Sequence, residues 1–219
     1  MVFLSPSEGS LLVGIIRNAL SSYLSGGRIT LPENVPSKFM VRKGVFVGYE
    51  YIVEECGIRG RVSRGRQGTP FPSEHLVKLA INTAINLAVN DPRFPPLSFL
   101  DLNSIVIEVS IITGIKSVKA TSPEELLSCL EISKSKGAKY GLMIEKRLVK
   151  EILLPQIIVE YGWDAQRALE QICFKAGLPL DAWKYPDVKI YTLETQVFYE
   201  LEPKGEVIER KLFFEKGED

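Results

Sequence analysis

The run Gly57-Ile58-Arg59-Gly60-Arg61-Val62-Ser63-Arg64-Gly65-Arg66-Gln67-Gly68 holds four arginines, four glycines and no acidic residue. It stands in a chain whose Lys+Arg and Asp+Glu both number 27. Guanidinium forks meet phosphate or carboxylate through two parallel hydrogen bonds. Glycines let main-chain N–H groups approach an anion. In an extended strand Arg59, Arg61 and Ser63 share one face. The chemistry this spacing suits is anion binding, with Gly57, Gly60, Gly65 and Gly68 opening the backbone. The alternative is a solvated edge strand kept from aggregating by its charge, with Glu54 and Glu55 as ion-pair partners.

Other residues are candidates on their own terms. Glu108 faces away from the stripe Ile105, Ile107, Val109, Ile111. It reads as an exposed strand carboxylate or, if that face lines a cleft, as a partner for Arg59. Gln156 follows Pro155 at a helix start, where free N–H groups gather, and suits either an anion or a cap. Cys56 lies beside the arginine run, where positive charge lowers a thiol pKa; the alternative is an ordinary thiol near a turn. Cys173 falls on the stripe Ala168, Leu169, Ile172, Cys173, Ala176 and reads as core. His75, the lone histidine, is expected in the first turn of its helix, with no second histidine to support catalysis. Trp163 and Trp183 read as packing anchors.

No recognisable catalytic constellation emerges, and whether the chain is an enzyme stays open. The glycine-rich run lacks the GxxxxGK[ST] and GxGxxG spacings of nucleotide loops. Without a CxxC pair, and with one histidine, neither a zinc site nor another cofactor is expected. RNA binding by the arginines is disfavoured, since only Phe71 stands near to stack a base. Net charge is zero and the pI near 6.6, which argues against generalised nucleic-acid binding. Three dispersed cysteines, Cys56, Cys129 and Cys173, fit a reducing cytoplasm. The first residues lack a signal-peptide pattern, and no apolar run approaches a membrane span.

The elements that must position these residues are legible in outline. Ser5-Pro6-Ser7-Glu8 opens a helix over 6–25 with a capping box, and Gly26-Gly27 ends it. Pro32 and Pro36 bracket a loop. Val45 to Val53 and Ile58 to Ser63 read as a hairpin turning at 54–57. A helix follows over Ser73 to Asn90, then a half-buried strand over Ile105 to Ile111. Ser122 starts a short helix. Gly141 to Glu145 and Leu148 to Leu154 form a second hairpin, and Pro155 and Asp164 each open a helix. Tyr191 to Tyr199 alternates as a long strand, followed by a final strand over 206–214. The order hairpin, helix, strand occurs twice, which favours an α+β fold over a parallel βαβ sheet.

Several segments point to one family. They are Asp91-Pro92-Arg93-Phe94-Pro95-Pro96-Leu97, Leu153-Leu154-Pro155-Gln156 with Glu160-Tyr161-Gly162-Trp163-Asp164, Cys173 to Pro179, and Gln196-Val197-Phe198. In this order they resemble the AMMECR-type family, named for a human chromosomal region deleted in a syndrome of Alport nephropathy, midface hypoplasia and elliptocytosis. The resemblance spans roughly residues 10 to 200 and implies a two-lobed α+β fold but no settled reaction. The family hexapeptide LRGCIG stands here as Ile58-Arg59-Gly60-Arg61-Val62-Ser63. Arg59 and Gly60 carry over; the family cysteine is Arg61 and the last glycine Ser63, so thiol chemistry at that position is impossible. The family histidine before Gly141 is Tyr140.

The reading is a cytoplasmic α+β protein in which 1–219 form one domain, with intimately packed lobes over about 28–120 and 138–214, the N-terminal helix over 6–25, and mainly antiparallel sheets. Its expected role is a binding or adaptor module. It recognises an anionic group, on a partner protein or a small ligand, through Arg59, Gly60, Arg61 and Ser63, with Glu108 and Gln156 as neighbours. The alternative is an enzyme, or enzyme subunit, acting with a Memo-like or radical partner, as genomic association of similar domains implies.

Overall fold

The computed structural model describes residues 3–29 and 34–214. Pro32 of the expected loop lies outside them. Elements run α1 (Pro6–Gly26), β1 (Gly44–Glu55), β2 (Ile58–Thr69), α2 (Leu76–Asn90), β3 (Ile105–Ser117), α3 (Pro123–Cys129), β4 (Ile132–Ser133), β5 (Gly137–Ala138), β6 (Gly141–Lys146), β7 (Val149–Leu153), α4 (Pro155–Glu160), α5 (Ala165–Lys175), β8 (Lys189–Glu200) and β9 (Val207–Glu209). The fold is α+β, and every registered strand pairing is antiparallel. The chain divides into two units: residues 1–112 with 196–210, and residues 113–195 with 211–219.

In the first unit the strands run β2-β1-β3-β8-β9. Alternation in β1 and β3 sends Val45, Val47 and Tyr49 to the same side as their partners Ile111, Val109 and Ile107. α1 and α2 supply Leu12, Ile16, Leu20, Leu76, Ala80 and Leu87 to the same core. The Tyr49 hydroxyl donates to the Ala84 carbonyl at 2.7 Å, and burial pushes its pKa up. α1 begins on the expected capping box, with Ser5 accepting from the Glu8 N–H and the Glu8 carboxylate from the Ser5 N–H. A buried ion pair anchors its middle: Arg17 Nε donates to Glu200 Oε1 at 2.5 Å and Nη2 to Glu200 Oε2.

The second unit repeats the connectivity, in the order β8-β6-β7. Its hairpin, β6-β7, is followed by α4 and α5 and then by β8, which pairs with β6, as β3 pairs with β1 in the first unit. Its core gathers Leu142, Ile144, Ala168, Leu169, Ile172, Cys173 and Trp183. Asp164 caps α5 by accepting from the Arg167 N–H at 2.9 Å.

Three local expectations shift. α2 starts at Leu76 with His75 as its N-cap residue, so Ser73 and Glu74 precede the helix. The β6-β7 turn falls at Arg147-Leu148, with Arg147 at a φ of 55°. The last strand is three residues long, with a separate bridge at Phe213.

Candidate functional site

The arginine run forms most of β2, an edge strand of the first unit. Cys56 and Gly57, at φ of 52° and 74°, make the two-residue turn that the twist of a hairpin favours. The register then sets Arg59 opposite Glu54, Arg61 opposite Ile52 and Ser63 opposite Glu50, so the three share a face as expected. At the next step the ladder breaks. Tyr49 pairs with Gly65 and Glu50 with Ser63, leaving Arg64 as the extra residue of a β-bulge. Gly65 takes a φ of 122° there.

The bulge divides the arginines between two faces. Arg64 is 1% exposed and caps the C-terminus of α2. Its Nη1 donates to the Leu87 carbonyl, and its Nη2 to the carbonyls of Ala88 and of Pro95, the last at 2.7 Å. The guanidinium lies 4.7 Å from the Phe94 ring centre and 4.0 Å from Asp91. A cation at that helix end meets the negative pole of the dipole. Asp91 in turn is held below the usual carboxylate range, chiefly by the hydrogen bond from Arg93.

Arg66 returns to the face of Arg61. It lies opposite Gly48, and Gly48 lies opposite Glu108 on β3. A side chain at residue 48 would meet the Arg66 stem at 2.7 Å, so glycine clears the path across the strand. Arg66 donates from Nε to Glu108 at 2.9 Å and from Nη2 to Glu50 at 3.0 Å. Arg210 donates to the other Glu108 oxygen at 2.9 Å. Arg61 reaches Glu50 at 3.4 Å and the carbonyls of Glu200 and Leu201 at 3.3 and 2.8 Å. Its guanidinium carbon sits 5.1 Å from the Tyr199 ring centre, with Arg210 5.8 Å from the same ring. Arg59, near the hairpin tip, pairs among the described residues only with Glu202, at 2.6 Å, and both side chains are more than half exposed.

Glu108 corrects its reading. It is 4% exposed and bound by Arg66 and Arg210, so it is neither an exposed carboxylate nor a partner of Arg59. Glu54 and Glu55 form no ion pair among the described residues; Glu50, Glu108, Asp91 and Glu202 take the arginines instead. Two glycines serve packing: a side chain at Gly65 would strike Asp91 and Arg93 at 2.9 Å, and one at Gly68 the Val45 carbonyl at 2.2 Å. Gln156 belongs to the second unit, fully buried in the first turn of α4. Cys56 is exposed at the hairpin turn and Cys173 is buried, its pKa raised by burial. The residues sequence reasoning missed are Glu50, Arg210, Tyr199 and the separate roles of Arg64 and Arg66. An isolated glycine inside a strand signals a bulge, and Gly65 was that signal.

Among the described residues no three His, Cys, Asp and Glu side chains converge in a way that could hold a metal ion. Nor is any helix there long and apolar enough to cross a membrane.

Comparison with known proteins gives one consistent result. The AMMECR1 family model matches residues 13–198. Protein MJ0810 of Methanocaldococcus jannaschii is 40% identical over 213 residues, covering 97% of this chain and 100% of that protein. Protein PF1979 of Pyrococcus furiosus is 37% identical over 214 residues, 96% of each. The crystal structure of protein PH0010 from Pyrococcus horikoshii superposes with a TM-score of 0.86 at 32% identity, covering 96% of this chain and 100% of that one.

Proposed function

The chain belongs to the AMMECR1 family, and on that footing we propose that it is a binding module that recognises an anionic group on a partner through the arginine-bearing face of β2. The observation that carries this reading is the unequal commitment of the arginines. Arg61 is oriented by two carbonyls, a carboxylate and the Tyr199 ring, and still has 32% of its side chain exposed. Among the described residues Arg59 is tied only by an exposed pair with Glu202. Such pairs contribute about 0–1 kcal/mol, so an incoming phosphate or carboxylate displaces Glu202 at small cost. Around them the charges balance: Arg59, Arg61, Arg66 and Arg210 face Glu50, Glu108 and Glu202, with Glu54 opposite Arg59 on the same face.

The test is titration of phosphate-bearing ligands against wild type and an Arg59→Ala/Arg61→Ala variant. Binding that weakens in the variant supports the reading, and equal binding by both removes it. Real binding also weakens with added salt, since exposed charges are screened over about 8–10 Å at physiological ionic strength.

A further inference from the structure

Gly14 lies in the middle of α1, Pro6–Gly26. A glycine inside a helix is a destabilising choice relative to alanine, and a neighbour pressed against it is the usual reason. Here, apart from its chain neighbours and the helix's own backbone, no atom of the described residues lies within 4 Å of the place a Cβ would occupy. Gly14 instead lines a cleft of about 360 Å³ in the first unit, with α1 as one wall. That volume is within the range of small-molecule sites, roughly 300–1,000 Å³.

Asn18 and Ser21 line the cleft on the same helix, and neither side chain has a hydrogen-bond partner among the described residues. Arg17 and Glu200 line it too, 7% and 2% exposed. Glu200 and the carbonyls of Leu102 and Ile105 take the Arg17 Nε hydrogen, both on Nη2 and one on Nη1, which leaves the second Nη1 hydrogen as a donor. Phe99, 46% exposed, and Val207 give an apolar wall, and Lys204 completes the lining. Arg17 and Lys204 against Glu200 leave one positive charge.

We propose that this cleft binds a small organic anion: a carboxylate held by Asn18, Ser21 and Lys204, with an apolar body against Phe99 and Val207. No arginine of β2 lines the cleft, although Arg61 donates to the carbonyl of Glu200, which does; the proposal does not rest on the arginine-face reading.

The test uses three probes of one shape and different charge: phenylacetate, phenylacetamide and phenethylamine. Each is titrated into the isotope-labelled full chain while amide resonances of residues 14–21 are followed. Phenylacetate is expected to shift them saturably, with the amide about tenfold weaker and the amine weaker still. Gly14→Leu fills the cleft from a position with free space and abolishes the shifts. Asn18→Ala, a change at an exposed residue, weakens phenylacetate binding and guards against a folding defect in the first variant. Absence of saturable shifts with phenylacetate, equal binding of the amine, or unchanged binding by folded Gly14→Leu and by Asn18→Ala overturns the proposal.

Discussion

Arg64 shows how far a charged residue can stand from the role its neighbours suggest. It shares a run with Arg59 and Arg61, yet it is buried and spent on the carbonyls that end α2. Arg64→Ala strips those carbonyls of a charged donor and leaves a cavity, so it should destabilise by about 2–4 kcal/mol in urea unfolding. A loss under 1 kcal/mol would contradict this assignment. Asp91 gives a pH signature at the same place. Its pKa is depressed below the ordinary carboxylate value, chiefly by the Arg93 hydrogen bond, so its contribution is complete above that ordinary value and is lost as pH falls through the lowered one. The stability gap between wild type and Asp91→Asn should therefore be constant near neutrality and close below about pH 4. Cys56 and Cys173 separate by burial. Cys56→Ser, at an exposed turn, should leave the melting curve unchanged. Cys173→Ser, in a closed core, should cost about 1–3 kcal/mol.

The β2 bulge is the element that sorts the arginines. Without it, strict alternation would carry Arg66 to the side of Arg64. Gly65→Ala forces a side chain into a φ of 122° and into contact with Asp91 and Arg93. It should lower stability by about 1–3 kcal/mol, and a neutral result in chemical denaturation would contradict the bulge. Elements of this kind mark the limit of what the sequence disclosed. Hairpins, caps and long strands were legible because their signals are local: Ser5 with Glu8, Asp164 before Ala165, alternation in β3 and β8. The shared face of Arg59, Arg61 and Ser63 was legible for the same reason. Glu108 was misread because its burial depends on Arg66 and Arg210, 42 and 102 residues away. The arginine partners were misread likewise, since Glu202 and the carbonyls of residues 200 and 201 come from a distant turn.

At the scale of the whole molecule, the first unit is completed only after the chain has passed through the second. Residues 196–210 bring Phe198 to its core, Gln196 to the main chain of Leu4 and Glu200 to Arg17. A fragment ending at Gly137 keeps Arg17 but loses its carboxylate, and an uncompensated buried charge costs about 3–5 kcal/mol, a large share of a typical 5–15 kcal/mol stability. That fragment should be unfolded by circular dichroism, and well-dispersed amide resonances from it would contradict the dependence. In the function proposed above, the exposed face of β2 is where a partner's anionic group would meet oriented guanidinium groups. The most direct test is calorimetric titration of the intact protein with a phosphate-bearing ligand, beside Arg59→Ala/Arg61→Ala with an unchanged melting curve. Saturable, salt-sensitive binding by wild type that the variant loses is the result predicted here; identical titrations of the two proteins would contradict it.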